Sequence, residues 1–372
     1  MTAAWRALAI AGGILLLLGT LGSVFTTLVV PRATSARLVR AVSAFYGKLS
    51  RPALRLWRTY ESKDRLLALV GPLGIVTVFV TWLCLLVVGF GLVTWGVVGG
   101  SVPYALEVAG SSVFTLGVLS IARGGPEAIE FVTAGVGLLV IALEIAYLPA
   151  LYNAFSAREA EVTLLSTRAG VPAWGPELLA RAQRFSLVDD LPLLYREWER
   201  WAAAVAESHA NYPSLMWLRS PQPLRSWLTA LAAVLDAAAL ENAVAPARAP
   251  LEGRLCLQVG FNCLRLLADA LHIAYDPDPL PTAPMRLSYE EYLEGIARLE
   301  SAGFDLERSP EDAWRHFRGW RVNYEPIVDA LTAVIVPPPA PWFVARPWLG
   351  EPVLPQVRNR TPDDPHATRP RG

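Results

Sequence analysis

Leu66–Leu106 reads LLALVGPLGIVTVFVTWLCLLVVGFGLVTWGVVGGSVPYAL and contains no charged side chain. A helix crosses the hydrocarbon core of a bilayer with about 20 apolar residues, so this stretch exceeds one crossing. The glycine and tryptophan residues inside it are common in membrane helices. The stretch therefore predicts an integral membrane protein, with a span from Leu66 to about Val98 that is ended by the break Gly99-Gly100-Ser101.

Two further apolar stretches predict membrane helices on either side of this span. Ala7–Val30 precedes it and ends before Pro31, and Ile129–Phe155 follows it and is interrupted by Glu144. The first stretch is longer than the apolar region of a signal peptide, which is about 7–15 residues, so we predict an uncleaved membrane helix. Pro149 is expected to kink or end the third helix.

The segment 31–65 is strongly basic and sets the predicted orientation. It carries nine Lys or Arg residues against only Glu61 and Asp64, and short basic loops stay on the cytoplasmic side. Its apolar residues recur near helical spacing, which favours an amphipathic helix on the inner leaflet; the alternative is an ordinary basic linker. We therefore expect a multi-pass protein of the cell membrane, with the N-terminus and residues 99–128 outside and the C-terminal domain in the cytoplasm.

The rest of the chain is typical of a soluble helical domain. Helices are predicted near 157–169, 175–186, 189–208, 224–243, 252–273, 288–302 and 310–335. Two of their starts are marked, by the capping-box spacing Ser288-x-x-Glu291 and by Ser309-Pro310, with Ser at the N-cap and Pro at the first helical position. The expected fold class is all-α, divided into 1–30, 31–65, 66–156, 157–345 and a disordered tail, 346–372.

Composition and motifs argue against several classes of function. Residues 158–372 carry 22 basic and 27 acidic side chains, a net charge of about −5, which argues against a nucleic-acid partner. Cys84, Cys256 and Cys263 form no CxxC pair, and the four histidines form no HExxH motif. No phosphate-binding glycine motif occurs in a suitable context. We therefore predict that the protein is not an enzyme and has no catalytic residues, metal site or cofactor.

One segment between the second and third spans is unusual for an external loop. Val102–Ser120 reads VPYALEVAGSSVFTLGVLS, which is too apolar for such a loop and too short to cross the bilayer and return as helices. Non-helical backbone at membrane depth is tolerated only where it is buried in protein or lines a watery cavity. A half-length helix followed by an extended Thr-x-Gly stretch predicts a re-entrant pore loop.

With this loop, residues 66–155 resemble the pore-loop potassium channel family. The resemblance consists of an outer helix, a pore helix near Tyr104–Phe114, the stretch Thr115-Leu116-Gly117-Val118-Leu119 and an inner helix. Members of that family carry TVGYG at the selectivity filter, whose carbonyl oxygens replace the ion's hydration shell. The resemblance implies that Thr115, Leu116 and Gly117 occupy the first three filter positions.

The last filter positions depart from the family pattern. Val118 stands where tyrosine is usual, Leu119 where the second glycine is usual, and Ser120 where an acidic residue usually follows. Glycine permits the positive φ that aims successive carbonyls at the pore axis, whereas leucine in that conformation costs about 1–2 kcal/mol. Three alternatives stay open: a wider cation path, a pore for another solute, or a loop that does not conduct.

The predicted inner helix carries three pore-lining or gating candidates. Gly135 and Gly137 lie where family members often have a bending glycine, and the alternative for both is close helix packing. Glu144 is an ionisable group midway along an apolar run, which is a functional hypothesis by default. In a tetramer it would form an acidic ring; the alternative is a carboxylate near the inner interface that snorkels or pairs with an arginine of 31–65.

The pore helix carries three further polar candidates, Glu107, Ser111 and Ser112. Glu107 is expected at the outer mouth or behind the filter, with a structural role favoured. The resemblance implies a homotetramer in membrane lipid that transports potassium or another monovalent cation and is regulated by its cytosolic domain. The alternative is a non-conducting scaffold or sensor whose helical domain binds an unidentified partner or ligand. A membrane enzyme has the least support.

Overall fold

The structure is a computed structural model, and it describes residues 3–30, 38, 41–42, 45–46, 60–119 and 127–343. Within these ranges the chain is helical and contains no β-strand, as the predicted all-α class requires. Most of the basic segment 31–65, together with Ser120 and the tail 346–372, lies outside the described residues. The chain divides into two compact units, which are described separately below.

The first unit comprises Met1–Ala157, Val205–Arg219 and Asp269–His272. Its main helices are α1 (Ala3–Leu28), α2 (Tyr60–Val98), α3 (Val102–Val113) and the first part of α4 (Glu127–Ala169). A short 3-10 helix, Pro213–Trp217, also belongs to it. The apolar core of this unit is built from side chains of α1 to α4, with Trp82 and Leu86 of α2 fully buried.

Glycines let α1 and α2 approach closely. A Cβ on Gly13 of α1 would lie 2.7 Å from the carbonyl oxygen of Gly89, and a Cβ on Gly96 would lie 2.5 Å from the side chain of Ile10. Small residues at such crossings allow backbones to pack at short distance, which is a major source of helix association in lipid. The apolar sequence of both helices therefore forms a tight pair rather than two isolated spans.

Among the described residues, four helices are long and apolar enough to cross a membrane, namely α1, α2, α4 and α7 (Trp227–Val244). They differ in what surrounds them. In the most apolar window of α1, α2 and α4, 28%, 33% and 28% of the residues are buried by protein, against 100% for α7. The first three leave a large apolar surface for lipid, so the chain is a membrane protein, whereas α7 is a core helix of the second unit.

Helix α2 begins at Tyr60, before the predicted start of the second span at Leu66, and so includes the charged residues that precede Leu66. Asp64 is 8% exposed, and its Oδ1 accepts a hydrogen bond from Nε of Arg219 at 2.5 Å. The guanidinium of Arg219 also binds the hydroxyl of Tyr60. A paired carboxylate can be buried in a helix at low cost, which explains why the helix starts earlier than the hydropathy indicates.

The helix that contains the third predicted span is also longer than predicted. Glu127–Ala169 is one helix, so Pro149 does not end it, and the helix predicted at 157–169 is its continuation. Pro149 removes one backbone donor, but membrane helices tolerate this because neighbouring groups and local adjustment satisfy the freed carbonyl.

The second unit comprises Arg158–Ala204, Ser220–Ala268 and Ile273–Gly372. It contains the end of α4, α5 (Gly175–Arg184), most of α6 (Leu191–Asn211), α7, most of α8 (Leu251–Leu271), α9 (Tyr289–Ser301), α10 (Pro310–Arg321) and α11 (Glu325–Ile335). Both predicted caps are confirmed: Ser288 and Glu291 form a capping box at α9, and the Ser309 hydroxyl accepts from the amide of Asp312 at α10.

A single helix over 310–335 was the expectation, and the structure corrects it. The chain forms α10 and α11 with a break at Val322–Tyr324. Pro326 lies in the first turn of α11, where its missing N–H costs nothing. In a continuous helix the same proline would remove an interior hydrogen bond and clash with the preceding turn.

A buried polar network fastens α10 and α11 to α7. Nη1 of Arg321 donates to Oδ1 of Asp236 at 2.5 Å, and its Nε donates to Oε1 of Glu325 at 3.0 Å. The hydroxyl of Tyr324 donates to the same Asp236 oxygen, and Nη2 of Arg321 donates to the carbonyl of Trp342 at 2.8 Å. Every nitrogen of this fully buried guanidinium therefore has an acceptor.

Candidate functional site

Helix α3 begins with a sharp reversal of the chain. Gly99 and Gly100 both have positive φ, 84° and 82°, which glycine adopts at little cost. Ser101 then caps the helix, because its hydroxyl accepts from the amide of Tyr104, and Pro103 lies in the first turn. These local signals start a new helix directly after α2 ends.

The reversal sends α3 back along α2. A Cβ on Gly91 would lie 2.6 Å from the side chain of Leu106, and a Cβ on Gly110 would lie 3.9 Å from that of Val87. As the residue number rises along α3 it falls along α2, so the two helices are antiparallel.

The C-terminal end of α3 stops well short of a full crossing. Its 12 residues make a helix of about 18 Å at about 1.5 Å per residue, against a hydrocarbon core of about 30 Å. Gly110 lies level with Val87, which is about 16 Å along α2 from its end at Val98. The loop that follows α3 is thus about half a bilayer thickness away from the reversal.

The loop after α3 is held by one serine. The hydroxyl of Ser111 accepts hydrogen bonds from the amides of Val118 at 3.0 Å and Leu119 at 3.2 Å. Its carbonyl accepts from the amide of Leu116 at 2.8 Å. Ser111 itself is 6% exposed, so this candidate positions the loop from inside the protein.

Positive φ occurs in this loop at Thr115 (53°) and Gly117 (65°). Leu119 is not in the left-handed region, so the cost expected for leucine there does not arise. Thr115 bears a cost instead, because a β-branched residue with positive φ is a genuine outlier, and such outliers persist where the surrounding structure enforces them.

The loop carries apolar side chains that no described residue of the same chain covers. Leu116 is 65% exposed, Val118 75% and Phe114 45%. Ser112 is half-buried, and Glu107 is exposed on the face of α3 opposite the buried residues Ala105, Val108 and Ala109.

The two candidate glycines of α4 have different surroundings. A Cβ on Gly137 would lie 2.3 Å from the carbonyl oxygen of Val113, at the C-terminal end of α3, while a Cβ on Gly135 would meet nothing within 4 Å. Gly137 therefore marks the point where the end of α3 crosses α4 in close contact. This contact favours helix packing over bending as the reason for glycine at 137.

Glu144 lies on the face of α4 that packs within its own chain. It is 7% exposed and shares that face with Val140, Tyr147 and Leu151. The ring of Tyr147 contacts that of Phe79 of α2 at 5.9 Å between centroids. Oε1 of Glu144 is buried and has no hydrogen-bond partner within the described ranges.

Further polar contacts in the first unit surround a cavity of about 50 Å³, and sequence reasoning missed them. Nε1 of Trp82 donates to Oγ of Ser23 at 3.1 Å, and the hydroxyls of Tyr147 and Ser214 are 3.2 Å apart. Isolated hydroxyl and indole groups carry no spacing signal, so their convergence was not predictable. A cavity of this size that is lined by hydroxyl groups can hold water.

Metal-ligating side chains do not cluster in the part of the chain that the structure describes: no group of three His, Cys, Asp or Glu residues could hold an ion there. Comparison of the chain with protein-family models, with characterised proteins and with solved structures finds no match.

Proposed function

We propose that this chain is one subunit of a homotetrameric membrane channel for monovalent cations, with Thr115–Leu119 beside the ion path. The observation that carries the proposal is the course of α3, which runs back along α2 and ends about half a bilayer thickness from the reversal, in a loop held by Ser111. A short helix that turns back along its neighbour and is followed by non-helical backbone is what a re-entrant loop requires, and this supports the proposal. Such backbone is tolerated where it is buried in protein or lines water.

The uncovered side of the loop supports assembly into an oligomer. Leu116 and Val118 are the most exposed apolar side chains of the loop, and a single chain provides nothing that covers them among the described residues. Closed rings of identical subunits are the common solution for membrane and soluble homo-oligomers. In such a ring these side chains would pack on the neighbouring copy while loop carbonyls face the axis.

Electrostatics favour a cation as the transported ion. The C-terminal end of a helix carries a partial negative charge, and α3 ends at Val113, directly before the loop. Four such ends around an axis would lower the energy of a cation there. The side chain of Glu144 is not part of the proposed path, because it lies on the face of α4 packed against α2.

The proposed orientation follows the basic segment 31–65. Short loops rich in Lys and Arg stay in the cytoplasm, and nine such residues lie there. Three crossings by α1, α2 and α4 then leave the N-terminus outside and the helical domain in the cytoplasm.

The test is cation flux into proteoliposomes that contain the full chain. Potassium and sodium uptake are compared with uptake by protein-free vesicles, over a range of voltage and pH. We expect flux that Thr115→Ala and Gly117→Ala reduce strongly and that Gly135→Ala leaves unchanged, because a Cβ on Gly135 meets open space. If all three variants showed the same flux as the wild type, the loop would not be part of the ion path.

A non-conducting scaffold or sensor is the second candidate. Leu119 favours it, because the corresponding position of the resembled family is glycine, and Val118 and Ser120 also depart from the family pattern. Chains that assemble as tetramers in mild detergent, yet show no flux at any voltage or pH, would support this alternative.

A further inference from the structure

The second unit contains a cavity of about 220 Å³ that no step of the proposed channel function uses. It lies between the end of α4, α5 and the start of α6. Its apolar wall consists of Leu178, Ala182, Phe185, Leu187, Leu191 and Leu194. Phe185 is 64% and Leu187 41% exposed, so the cavity is open to solvent on that side.

One buried cation lines this apolar cavity. The side chain of Arg181 is 3% exposed. Its Nε donates to Oε1 of Glu177 at 2.6 Å, and its Nη1 donates to the carbonyl oxygen of Thr167 at 2.6 Å. Its Nη2 is buried and has no hydrogen-bond partner in the described parts of the chain. A buried donor left without an acceptor is unfavourable, and the fully paired Arg321 of the same unit shows the usual arrangement.

The charges around Arg181 leave a positive surplus. Oε2 of Glu177 also accepts from Nε of Arg298 at 2.5 Å, so two guanidinium groups share one carboxylate, which is itself 1% exposed. At the rim of the cavity the positive charge of the exposed Arg168 and the negative charge of the exposed Asp190 offset each other. A bound anion would balance the surplus and supply the acceptor that Nη2 lacks.

We propose that this cavity binds a small amphipathic anion, a free carboxylate with a short apolar body. A small rotation of the Arg181 side chain would bring Nη2, which is buried beside the cavity, to the carboxylate, and the apolar body would lie against Leu178, Ala182 and Leu194. An inorganic anion would use the guanidinium but leave the leucine wall in contact with water, which is unfavourable. Apolar pockets with one or two placed polar groups are the usual form of small-molecule sites.

Calorimetric titration of the full chain in lipid nanodiscs tests this, with hexanoate as the probe. Hexanamide is the matched control ligand, because it has the same shape without the charge, and empty nanodiscs correct for partition into lipid. We expect saturable binding of hexanoate and binding of hexanamide that is weaker by about tenfold or more. Absence of saturable hexanoate binding, or equal affinity for the two compounds, would overturn the proposal.

Three variants locate the site. Ala182→Leu fills the cavity without changing a charge. Arg181→Lys keeps the positive charge but replaces the planar guanidinium, with its several N–H donors, by a single ammonium group. Both should weaken hexanoate binding by about tenfold or more. Arg184→Gln is the control, because Arg184 is exposed on the same helix and does not line the cavity.

Thermal unfolding of each variant shows whether it is folded. Ala182→Leu keeps the test decisive if the lysine variant does not fold, since it leaves the Glu177 ion pairs intact. Wild-type affinity in a folded Ala182→Leu variant would show that hexanoate binds elsewhere and would refute the assignment.

Discussion

Ser111 holds the loop after α3 with a single hydroxyl group that accepts from two backbone amides. Buried backbone groups need partners, and the buried hydroxyl of Ser111 supplies one for both amides. The neighbouring Thr115 keeps positive φ at a cost of about 1–2 kcal/mol. The contacts of Ser111 are therefore a large part of what keeps the loop in one conformation.

Ser111→Ala should loosen this loop. Loss of the acceptor for the amides of Val118 and Leu119 is expected to cost about 1–2 kcal/mol, a factor of about 5–30 in the population of the open loop. Hydrogen exchange of those two amides, measured in nanodiscs, should accelerate by that factor. Ser112→Ala is the control, because the Ser112 hydroxyl makes no hydrogen bond to the loop within the described residues. Unchanged exchange of the two amides in Ser111→Ala would contradict the proposed role of Ser111.

At the scale of elements, the first unit depends on close crossings between helices. The backbone of Val113, at the end of α3, packs so closely on Gly137 of α4 that there is no room for a methyl group between them. Gly135, two residues earlier, faces open space. Packed interiors respond to such a methyl group by shifting backbone or side chains, at a cost of about 1–3 kcal/mol. Substitutions at Gly135 and Gly137 therefore show whether α4 needs glycine for close packing or for flexibility.

Gly137→Ala should destabilise the first unit by about 1–3 kcal/mol, because the new Cβ would overlap the carbonyl of Val113. Gly135→Ala should be neutral or slightly stabilising, since alanine favours helix more than glycine does. The measurement is the thermal unfolding midpoint in detergent. A hinge role would reverse this pattern, with both variants stable and flux altered.

Helix α7 illustrates how an apolar helix is placed by its partners. It is completely buried, and Asp236 on it binds Arg321 of α10. Burial disfavours the charged guanidinium, but the interactions with Asp236, Tyr324 and Glu325 together outweigh this effect, and the pKa of Arg321 is raised above its ordinary value. Removing one member of a buried ion pair leaves an uncompensated charge.

Arg321→Met should therefore lower the free energy of unfolding by about 3–5 kcal/mol, because Asp236 and Glu325 would lose their cation. Denaturant unfolding followed by circular dichroism measures the change. Arg315→Met on the same helix is the control, because Arg315 is exposed, and its effect should stay within about 0.5 kcal/mol. Equal losses for the two variants would show that the network does not stabilise the unit.

On the scale of the whole molecule, the three cysteines report on two different environments. Cys84 is exposed on α2, a helix with a largely uncovered apolar surface, while Cys256 and Cys263 are buried in the second unit. Burial raises the pKa of the Cys263 thiol to about 12, and burial also raises the pKa of Cys256. The thiolate is the reactive form, so these two thiols are expected to be inert while the unit is folded.

Maleimide labelling tests this distribution. Permeant and charged maleimides should both leave Cys84 unmodified in proteoliposomes, because Cys84 would face lipid, where water does not solvate the reactive thiolate, and both should modify it after denaturation in detergent. At pH 9 an ordinary thiol, with a pKa of about 8.5, is largely thiolate, but Cys256 and Cys263 should stay protonated and unlabelled until denaturant restores their ordinary pKa. Rapid labelling of Cys263 in native protein at pH 9 would contradict its burial.

Local signals in the chain were sufficient to predict several features. The membrane helices follow from uninterrupted apolar runs, and the starts of α9 and α10 follow from Ser288-x-x-Glu291 and Ser309-Pro310. The helical segment at Val102–Val113 was expected near Tyr104–Phe114, because the glycine break and its apolar composition are properties of neighbouring residues. In each case the interactions that favour the structure lie within a few residues.

Contacts between distant residues needed the tertiary structure. Ser111 as the acceptor for the loop, Gly137 against Val113, and Arg321 with Asp236, 85 residues apart, depend on which side chains meet after the helices pack. The same holds for the cavity at Arg181, where Glu177 and Thr167 pair two of the guanidinium nitrogens and no described residue pairs the third. Hydropathy and helix caps act over one or two turns and can be recognised in a sequence, whereas burial and pairing depend on the packing of the whole chain.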